Sequence, residues 1–295
     1  MKRRAALFVL AFLTAFVPAR AEAPQTVDAH PALWRVHGEG GTAYLFGSLH
    51  MLPPNVNWQT PEIKRAFSHA DTYVFEIPLG ADTINRVNAL MGERGMLPPG
   101  QSLRAMLPPD SQADLDKVLA SFQLPLTAVD NKRPWLVSLM LASIMAKKHE
   151  LQDAFGADKI LGAQAKASGK PILYLETVDQ QLALVAPDDP KVELQFFEAG
   201  LKSFATADND IAAITNAWEK GDIAALDAVT AKEFKDQPDA RAAYFTDRNR
   251  AWTKQIEAML RERRTFFIAV GAGHLAGKDG VPALLRADGY KVDGP

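Results

Sequence analysis

The sequence predicts an α/β protein, a single compact domain with large helical insertions. Short apolar segments with the composition of strands are separated by long stretches whose apolar residues recur at helical spacing. An amphipathic helix, "GADKILGAQAKASGK", is followed at once by the strand-like "PILYLET", and such helix-to-strand units are typical of α/β architecture. Since no low-complexity tract or linker divides the chain, we expect one domain from residue 22 to residue 295.

The first residues have the pattern of a secretory signal peptide. Basic residues at positions 2 to 4 precede the apolar run "AALFVLAFLTAFV", and the small-residue pattern "ARAEA" follows it. The apolar run is shorter than the roughly 20 residues that a membrane-spanning helix needs. We therefore expect residues 1–21 to be a signal peptide, cleaved near Ala21 or Ala23, and the mature chain to be secreted across the inner membrane into the periplasm.

Composition excludes several classes of function. The formal net charge is −2, and the 33 Lys and Arg residues form no basic stripe, so no nucleic-acid partner is expected. No later segment is apolar enough to suggest stable membrane insertion of the mature chain. The sequence contains no cysteine, which excludes disulfides, a thiol nucleophile and thiolate metal ligands. Any metal would be held by His, Asp and Glu.

The N-terminal part predicts a hairpin, a helix and a strand. In "LWRVHGEGGTAYLFG" two strands flank a glycine-rich turn at 38–41. Thr60 is a predicted N-cap, Pro61 suits the first helical position, and the helix should run to His69. "TYVFEIP", residues 72–78, is rich in β-branched and aromatic residues and predicts a strand.

The rest of the chain is mostly helical with two further strand units. Residues 82–167 predict helices interrupted at "MLPPG" and "MLPPD", and the last of these helices should end at Gly169. Residues 171–177 predict a strand, and 179–264 are again helical. The final segment, "TFFIAVGAGHLAGKDGVPALLRADGYKV", predicts a strand, a glycine-rich turn, a helix and a short last strand from Tyr290.

Two of these strands end in the same motif. In "AYLFGSLHM" and "TFFIAVGAGHL" an apolar strand runs into Gly-x-x-His, with Gly47 and His50 in the first and Gly271 and His274 in the second. The glycines would let the chain turn sharply or adopt positive φ. Each histidine alone reads as a turn residue bonded to backbone. Their matched positions beyond strand ends, where α/β sheets bind ligands, instead favour one shared site.

Two glutamates lie in comparable positions, Glu76 in "YVFEIP" and Glu176 in "ILYLET". A carboxylate in so apolar a stretch needs a cation, a donor or a metal. Together with the two histidines they make an N/O ligand set that suits Zn²⁺, Mn²⁺ or Co²⁺, and a carboxylate left off the metal could be the general base. Alternatively, each glutamate caps a helix or pairs with an arginine; which would be ligand and which base stays open.

A further element is "DRNRAW" in the long helix before the last long strand. Arg248 and Trp252 are four residues apart on one face, with Asn249 beside them. Arg248 could offer a fixed cation to a substrate carbonyl or to the transition state, or could pair with a buried carboxylate such as one of the two glutamates. Asp158 in "GAD" is either a first-turn acid or a site residue.

The chain has no GxGxxG, GxxxxGK[ST], GxSxG or HExxH motif, which removes the commonest nucleotide, serine-hydrolase and zincin interpretations.

On these motifs the chain resembles the TraB/PrgY/GumN family, in particular its GumN-like exported branch, which is related to Tiki-type metalloproteases and the erythromycin-esterase/ChaN-like group. The segments that carry the resemblance are "YLFGSLHM", "VFEIP", "GADKILGAQAKASGKPILYLETVDQQL", "RNRAW" and "VGAGHLAGKDGVPALLRADGYKV". The resemblance implies a small central mixed sheet with two half-sites, surrounded by many helices. It also implies a divalent metal, Mn²⁺ or Co²⁺, at His50, Glu76 and His274, with Glu176 and Arg248 at the same site.

The expected function is a periplasmic metal-dependent hydrolase, a peptidase. His50, His274, Glu76 and Glu176 are the predicted metal ligands for Mn, Co or Zn, and Glu76, Glu176 and Arg248 the predicted catalytic residues. The substrate would be a peptide or a small molecule. The alternative is a non-catalytic protein that binds a peptide or glycan, either sequestering a signal or serving as an accessory in exopolysaccharide production.

Overall fold

The computed structural model describes residues 25–204 and 206–295, so the predicted signal peptide lies outside the described residues. The strands are β1 Val27–Asp28, β2 Leu33–His37, β3 Thr42–Ser48, β4 Val56–Asn57, β5 Thr72–Phe75, β6 Ile172–Tyr174, β7 Thr265–Gly271 and β8 Lys291–Asp293. The α-helices are α1 Pro61–His69, α2 Ala81–Arg94, α3 Leu103–Met106, α4 Pro109–Ser121, α5 Pro134–Lys148, α6 Ala157–Ser168, α7 Val178–Val185, α8 Pro190–Phe204, α9 Ala207–Glu219, α10 Ile223–Glu233, α11 Pro238–Arg241, α12 Asp247–Leu260 and α13 Val281–Ala287.

A mixed six-stranded sheet lies at the centre, with the strand order β6-β5-β7-β3-β2-β8. The four strands β6, β5, β7 and β3 are mutually parallel, while β2 pairs antiparallel with both β3 and β8. Strands β1 and β4 form a separate two-stranded parallel sheet. The helices surround the central sheet, which confirms the predicted α/β class with its mixed sheet.

The predicted local signals fix the first elements. β2 and β3 form the expected hairpin, closed by a hydrogen bond from the Gly38 N–H to the Gly41 carbonyl at 2.9 Å. α1 begins at Pro61, and the Thr60 side chain accepts from the Ile63 N–H at 3.2 Å, as the N-cap prediction required. α6 ends at Gly169, which has the left-handed φ of 70°.

The strands β5 and β6 end earlier than the sequence predicted, at Phe75 and Tyr174. Pro78 has no N–H to extend the β5 ladder, and Thr177 is the N-cap of α7 in a capping box with Gln180. As a consequence, both predicted glutamates lie just after a strand rather than within it.

Both faces of the sheet are buried, as the alternation along β7 shows. Phe266, Ile268 and Val270 face one core with α12 and α13, whereas Phe267 and Ala269 face a second core with α1, α6 and α9. Burying one such Phe or Ile side chain is worth roughly 1.5–3 kcal/mol, so β7 anchors both layers of helices. This central strand carries the second Gly-x-x-His motif at its carboxyl end.

The predicted helical insertions pack partly around a core of their own. Helices α3, α4, α5 and α8 enclose Leu103, Leu115, Val137, Leu141 and Phe197. Within the described part of the chain, no helix combines the length and the apolar character needed to cross a membrane.

The first motif glycine permits a close approach rather than an unusual backbone angle. Neither Gly47 nor Gly271 has positive φ, so that part of the prediction is wrong. A Cβ on Gly47 would instead lie 3.0 Å from the Cα of Ala272, which follows β7. The Gly47 carbonyl accepts a buried hydrogen bond of 2.7 Å from the Trp218 indole N–H of α9. The end of β3 is therefore fixed by both the neighbouring strand exit and a helical insertion.

Trp218→Phe tests this second attachment. The change removes the donor and leaves the Gly47 carbonyl buried without it, so we expect the free energy of unfolding in urea to fall by about 1–3 kcal/mol. Trp58→Phe is the matched control. Trp58 is buried in the same aromatic cluster, its ring centre 6.3 Å from that of Trp218, but its indole N–H donates to no described residue. Equal losses in the two variants would contradict a role for the Trp218 hydrogen bond.

Candidate active site

The four predicted ligands follow the carboxyl ends of four adjacent parallel strands. In the spatial order of the sheet, Glu176 follows β6, Glu76 follows β5, His274 follows β7 and His50 follows β3. Because the carboxyl ends of parallel strands meet at one edge, residues far apart in sequence are brought to the same place. This edge is where open α/β sheets bind their ligands.

Three of these side chains lie around the position that a side chain of Gly271 would occupy. A Cβ built on Gly271 would lie 3.3 Å from Glu76 Oε1, 3.6 Å from His274 Cδ2 and 4.0 Å from His50 Nε2. The Gly271 N–H also donates to Glu76 Oε1 at 2.7 Å. The two Gly-x-x-His histidines therefore both lie beside Gly271, whose missing side chain leaves space at this point.

Arg248 lies among the other acceptors of the site. Its Nε donates to Glu176 Oε1 at 2.8 Å, and its Nη2 donates to Glu176 Oε2 at 3.0 Å and to Glu76 Oε2 at 2.8 Å. Its Nη1 donates to the Tyr244 carbonyl and to His274 Nε2, both at 3.0 Å. These contacts use all five N–H groups of a guanidinium. Both glutamates are thus paired with one arginine, the alternative that the sequence left open.

A π-helical segment, Ala242–Thr246, lies directly before α12 and carries two aromatic residues into the site. Its backbone is widened, with the Asp247 N–H donating to the Ala242 carbonyl five residues earlier. The Tyr244 carbonyl reaches Arg248, and the Phe245 ring centre lies 4.9 Å from that of His274. π-Helical turns inside α-helices occur frequently at functional sites.

His274 is held as a neutral ring with a defined tautomer. Since an arginine can only donate, His274 Nε2 accepts from Arg248, and Nδ1 carries the proton that is donated to Asn249 Oδ1 at 2.6 Å. The Asn249 amide is itself oriented by donating to the Asp279 carbonyl at 2.8 Å. Burial lowers the pKa of His274 to about 3. Its Nε2 lone pair therefore faces the site at neutral pH.

His50 has the opposite electrostatic state. Its Nδ1 bonds Asp158 Oδ2 at 2.9 Å, and this hydrogen bond raises the pKa of His50 to about 9. The ring is therefore an imidazolium at neutral pH, with Nε2 turned toward Gly271. The first turn of α6 is fixed against the same loop, because the Ala157 N–H donates to the Leu49 carbonyl at 2.9 Å. Asp158 is thus a first-turn acid and a site residue at once.

The two glutamates differ in what they face. Glu76 Oε2 accepts from Gln181 Nε2 at 2.6 Å as well as from Arg248. Burial raises the pKa of Glu76, but the neighbouring His274, Arg248, Gly271 N–H and His50 together lower it by more, so the pKa lies below its usual value and the carboxylate is ionised. Glu176 Oε1 accepts a 2.9 Å bond from the Trp252 indole in addition to Arg248. Glu76 lines the cavities at the site, and Glu176 does not.

Two cavities meet at these residues. The larger, about 330 Å³ and here called the cleft, lies under α7, α10 and the π-helical segment and reaches Arg248 and His274. The smaller, about 250 Å³, lies between the end of β5 and the start of α6. Ser48, His50, Glu76 and Gln181 line both. The buried Ser48 hydroxyl and Asp158 Oδ1 have no hydrogen-bond partner among the described residues, so polar atoms remain available to a ligand.

The donor set suits a divalent cation in the type of its atoms. His50, His274 and Glu76 offer imidazole nitrogen and carboxylate oxygen, and each Nδ1 is held by an oxygen of Asp158 or Asn249, as metal-binding histidines usually are. The open space at Gly271 and the orphaned hydroxyl also fit a bound group.

The present arrangement is not yet that of a metal centre. In residues 25–204 and 206–295, no three His, Asp or Glu side chains are grouped so as to hold one ion. Arg248 donates hydrogen bonds to Glu76, Glu176 and His274, three of the four predicted ligands. The metal role of the four residues stays a prediction.

Several residues of the site were not predicted as such. Gln181, Ser48, Tyr244 and Phe245 reach it from three different elements. Ser48 and Gln181 lie in segments that carry the family resemblance, but nothing in their residue type or spacing marked any of the four as a site residue. Asn249 could have been found, since it lies in "RNRAW" next to Arg248 and its short amide suits the orientation of a buried histidine.

Comparison with known proteins gives one family and several distant relatives. The model described as the TraB/PrgY/gumN family matches residues 32–294. Metalloprotease TIKI1 of Danio rerio is 24% identical over 93% of this chain and 65% of its own length. Metalloprotease TIKI2 of the same fish is 24% identical, over 85% of this chain and 58% of its own. The protein YbaP of Escherichia coli is 22% identical over 82% of this chain and 87% of its own.

The chain therefore spans about two thirds or less of the lengths of the two TIKI proteins. No solved structure gives a significant match.

The state of His50 can be measured by NMR titration of its imidazole Cε1–H. We expect a pKa of about 9, and a fall toward the ordinary 6.5 in Asp158→Asn. Because the folded-state pKa lies above the unfolded one, the proton stabilises the fold fully below pH 6.5, and this stabilisation disappears as the pH rises through 9. Asp153→Asn, a carboxylate of the same small cavity, is the control and should leave the titration unchanged. A wild-type pKa near 6.5 would contradict the Asp158 pairing.

Arg248→Met tests the ion-pair network. Removing the cation leaves two carboxylates buried, so we expect the free energy of unfolding at pH 7 to fall by about 3–5 kcal/mol. Adding Glu176→Gln should recover part of the loss. Arg250→Met, two residues along the same helix, is the control. Its side chain is 65% exposed and lies 3.9 Å from Asp247, so the expected change is within about 0.5 kcal/mol. Similar losses at positions 248 and 250 would refute the network's importance.

Proposed function

The chain belongs to the TraB/PrgY/gumN family, and from that premise we propose that it is a metal-dependent hydrolase of peptide bonds. The observation that carries the proposal is the convergence of His50, His274 and Glu76 on the open face of Gly271, at the floor of a cleft. The two distant relatives named as metalloproteases support the same class of chemistry.

In this proposal His50, His274 and Glu76 would hold the ion, Mn²⁺, Co²⁺ or Zn²⁺. When bound, such an ion supplies a Lewis acid that polarises a peptide carbonyl and lowers the pKa of water. His50 must release its proton to become a ligand, and Asp158, which holds its Nδ1, keeps Nε2 turned to the site. His274 is already unprotonated at Nε2, but Arg248 would have to give up its hydrogen bond to this atom.

We assign the two carboxylates different tasks. Glu76 lines the cleft, so it is the carboxylate that can contact an ion or accept the proton of attacking water. Glu176 lies outside the cleft lining, and its oxygens hold Arg248 and Trp252. Its task is to position the arginine rather than to react.

Arg248 contributes a fixed positive charge beside the reacting centre. Its side chain is only 14% exposed, and its guanidinium carbon lies 4.7 Å from the centre of the Trp252 ring. Charge that develops on a carbonyl oxygen in the cleft is stabilised by a preorganised cation of this kind, at little cost in reorganisation. All five N–H groups of Arg248 already donate within the protein. The arginine would therefore act on a substrate through its charge rather than as a hydrogen-bond donor.

Export to the periplasm is part of the proposal. It depends on residues 1–21, whose basic start, apolar run and small-residue cleavage pattern are those of a secretory signal peptide. The absence of cysteine from the chain means that no disulfide chemistry would be needed there.

A second candidate function is peptide or glycan binding without turnover, as for a signal-sequestering or exopolysaccharide accessory protein. One observation favours it: Arg248 satisfies Glu76, Glu176 and His274 internally, so the cleft floor is complete without any ion.

Metal titration and cleavage assays separate these functions. We expect the wild type, loaded with Mn²⁺, Co²⁺ or Zn²⁺, to cleave a quenched-fluorescent peptide library, and chelation to abolish cleavage. Glu76→Gln should lower kcat/KM by about 10²–10⁴-fold because it removes the carboxylate that faces the cleft. His69→Gln, on the exposed face of α1, is the control and should have no effect.

Calorimetry of the same metals provides the second readout. If the wild type binds each ion no more tightly than His274→Gln does, the metal proposal is wrong. Peptide binding without cleavage by metal-loaded protein would favour the second function.

A further inference from the structure

We propose that Glu233 forms a subsite for a lysine or arginine side chain of the peptide substrate, at the point where a surface groove opens into the cleft. The inference rests on the proposed function and adds to it a substrate class, peptides with a basic residue near the scissile bond.

The groove and the cleft adjoin each other and share two lining residues. The groove, about 550 Å³, runs between α8, α9 and α10, and the cleft is about 330 Å³. Ile214 and Glu233 line both, so the junction is formed by one apolar and one acidic side chain. Both volumes lie within the roughly 300–1,000 Å³ of ligand sites. An extended chain lying along the groove would therefore pass Glu233 before it reaches His274 and Arg248.

Glu233 lacks a counter-charge. Among the described residues, its carboxylate has no ion-pair partner and no side-chain hydrogen bond, whereas the adjacent Lys232 is engaged with Asp210 at 2.7 Å. The side chain is open to both cavities, yet the protein packed around its carboxyl raises its pKa, and the Asp210 carboxylate raises it further. Glu233 is also the last residue of α10, where the helix dipole disfavours a negative charge. Among the described residues no cation pairs with the Glu233 carboxylate, so a basic group of a ligand can take this place.

The rest of the groove has an excess of negative charge. Its charged lining consists of Glu198, Asp210, Asp236, Lys202 and Lys232, in addition to Glu233. Glu198 accepts a 3.0 Å hydrogen bond from Ser111, and Lys232 neutralises Asp210. An acidic peptide is therefore disfavoured, and a neutral glycan would leave Glu233 unpaired. A single basic side chain supplies the missing charge.

The test measures binding and cleavage with the same probes. These are N-acetylated octapeptide mixtures that carry an uncharged dye and have lysine, norleucine or glutamate fixed at the centre. We expect the wild type to bind the lysine set about two- to fivefold more tightly than the norleucine set, since an ion pair with an exposed carboxylate such as Glu233 is worth about that factor. Glu233→Gln should reduce this ratio to near one. Fluorescence anisotropy gives the affinities, and mass spectrometry gives any cleavage position relative to lysine.

Glu93→Gln is the matched control, because Glu93 is an exposed glutamate in the last turn of α2, away from both cavities. It should keep the wild-type preference. Repeating the assay with free N-termini separates the two sources of a cation, and preference for the free terminus over lysine would overturn the proposed side-chain subsite.

The outcomes distinguish the subsite from the hydrolase. Lysine preference that depends on Glu233, without cleavage, supports the subsite and counts against hydrolysis. Cleavage with equal affinity for lysine and norleucine supports hydrolysis and overturns the subsite. A preference that survives Glu233→Gln also overturns it, as does the absence of any binding.

Discussion

The site depends on one buried interaction, the pairing of the Arg248 guanidinium with the carboxylates of Glu76 and Glu176. Each carboxylate ends a different parallel strand, and the arginine comes from α12 on one face of the sheet, so three elements are fixed by a single cation. Taking these charges out of water costs several kcal/mol per ion, and apolar side chains of similar volume often give equal or greater stability. We therefore interpret the network as fixing orientation: it aligns the ends of β5 and β6 and holds the His274 ring through its Nε2.

The two halves of the site share one backbone motif, but one histidine is charged and the other is neutral. Both histidines follow a strand through Gly-x-x-His, and both are held at Nδ1 by a side-chain oxygen. The His50 side chain is 67% exposed and its partner is the Asp158 carboxylate, so it retains a proton, whereas His274 is buried against the Asn249 amide and stays neutral. Groups whose pKa values are driven apart in this way can supply an acid and a base at one pH. The Asp158 partner of His50 and the burial of His274, rather than the motif, decide which histidine is charged.

The sequence was sufficient to predict that the four candidate residues share one edge of the sheet, but not which hydrogen bonds and ion pairs join them. Strand composition and the matched motifs indicated that His50, His274, Glu76 and Glu176 would share one sheet edge, and they do, because parallel strands order their exits in space. The partners of Arg248 could not be assigned, since they lie 72 and 172 residues away, and the π-helical segment that aims it has no sequence signature. The glycines were misjudged for a related reason. A glycine is required at Gly47 because Ala272 packs too closely for a side chain, and not because of the local backbone angles.

A lone pair can serve Arg248 or a metal ion, but not both. The Nε2 of His274 and the Oε2 of Glu76 are acceptors for the guanidinium, and both atoms are among those that a divalent cation would use. An ion at this site therefore competes with an internal cation, and each charge-assisted hydrogen bond it displaces subtracts roughly 1.5–3 kcal/mol from its binding free energy, or about 10–100-fold in affinity. Weakly held ions such as Mg²⁺, which favour oxygen ligands and lose water reluctantly, lose most in this competition. If the proposed metal site is correct, the arginine would favour cations that bind imidazole strongly enough to offset the hydrogen bonds they displace.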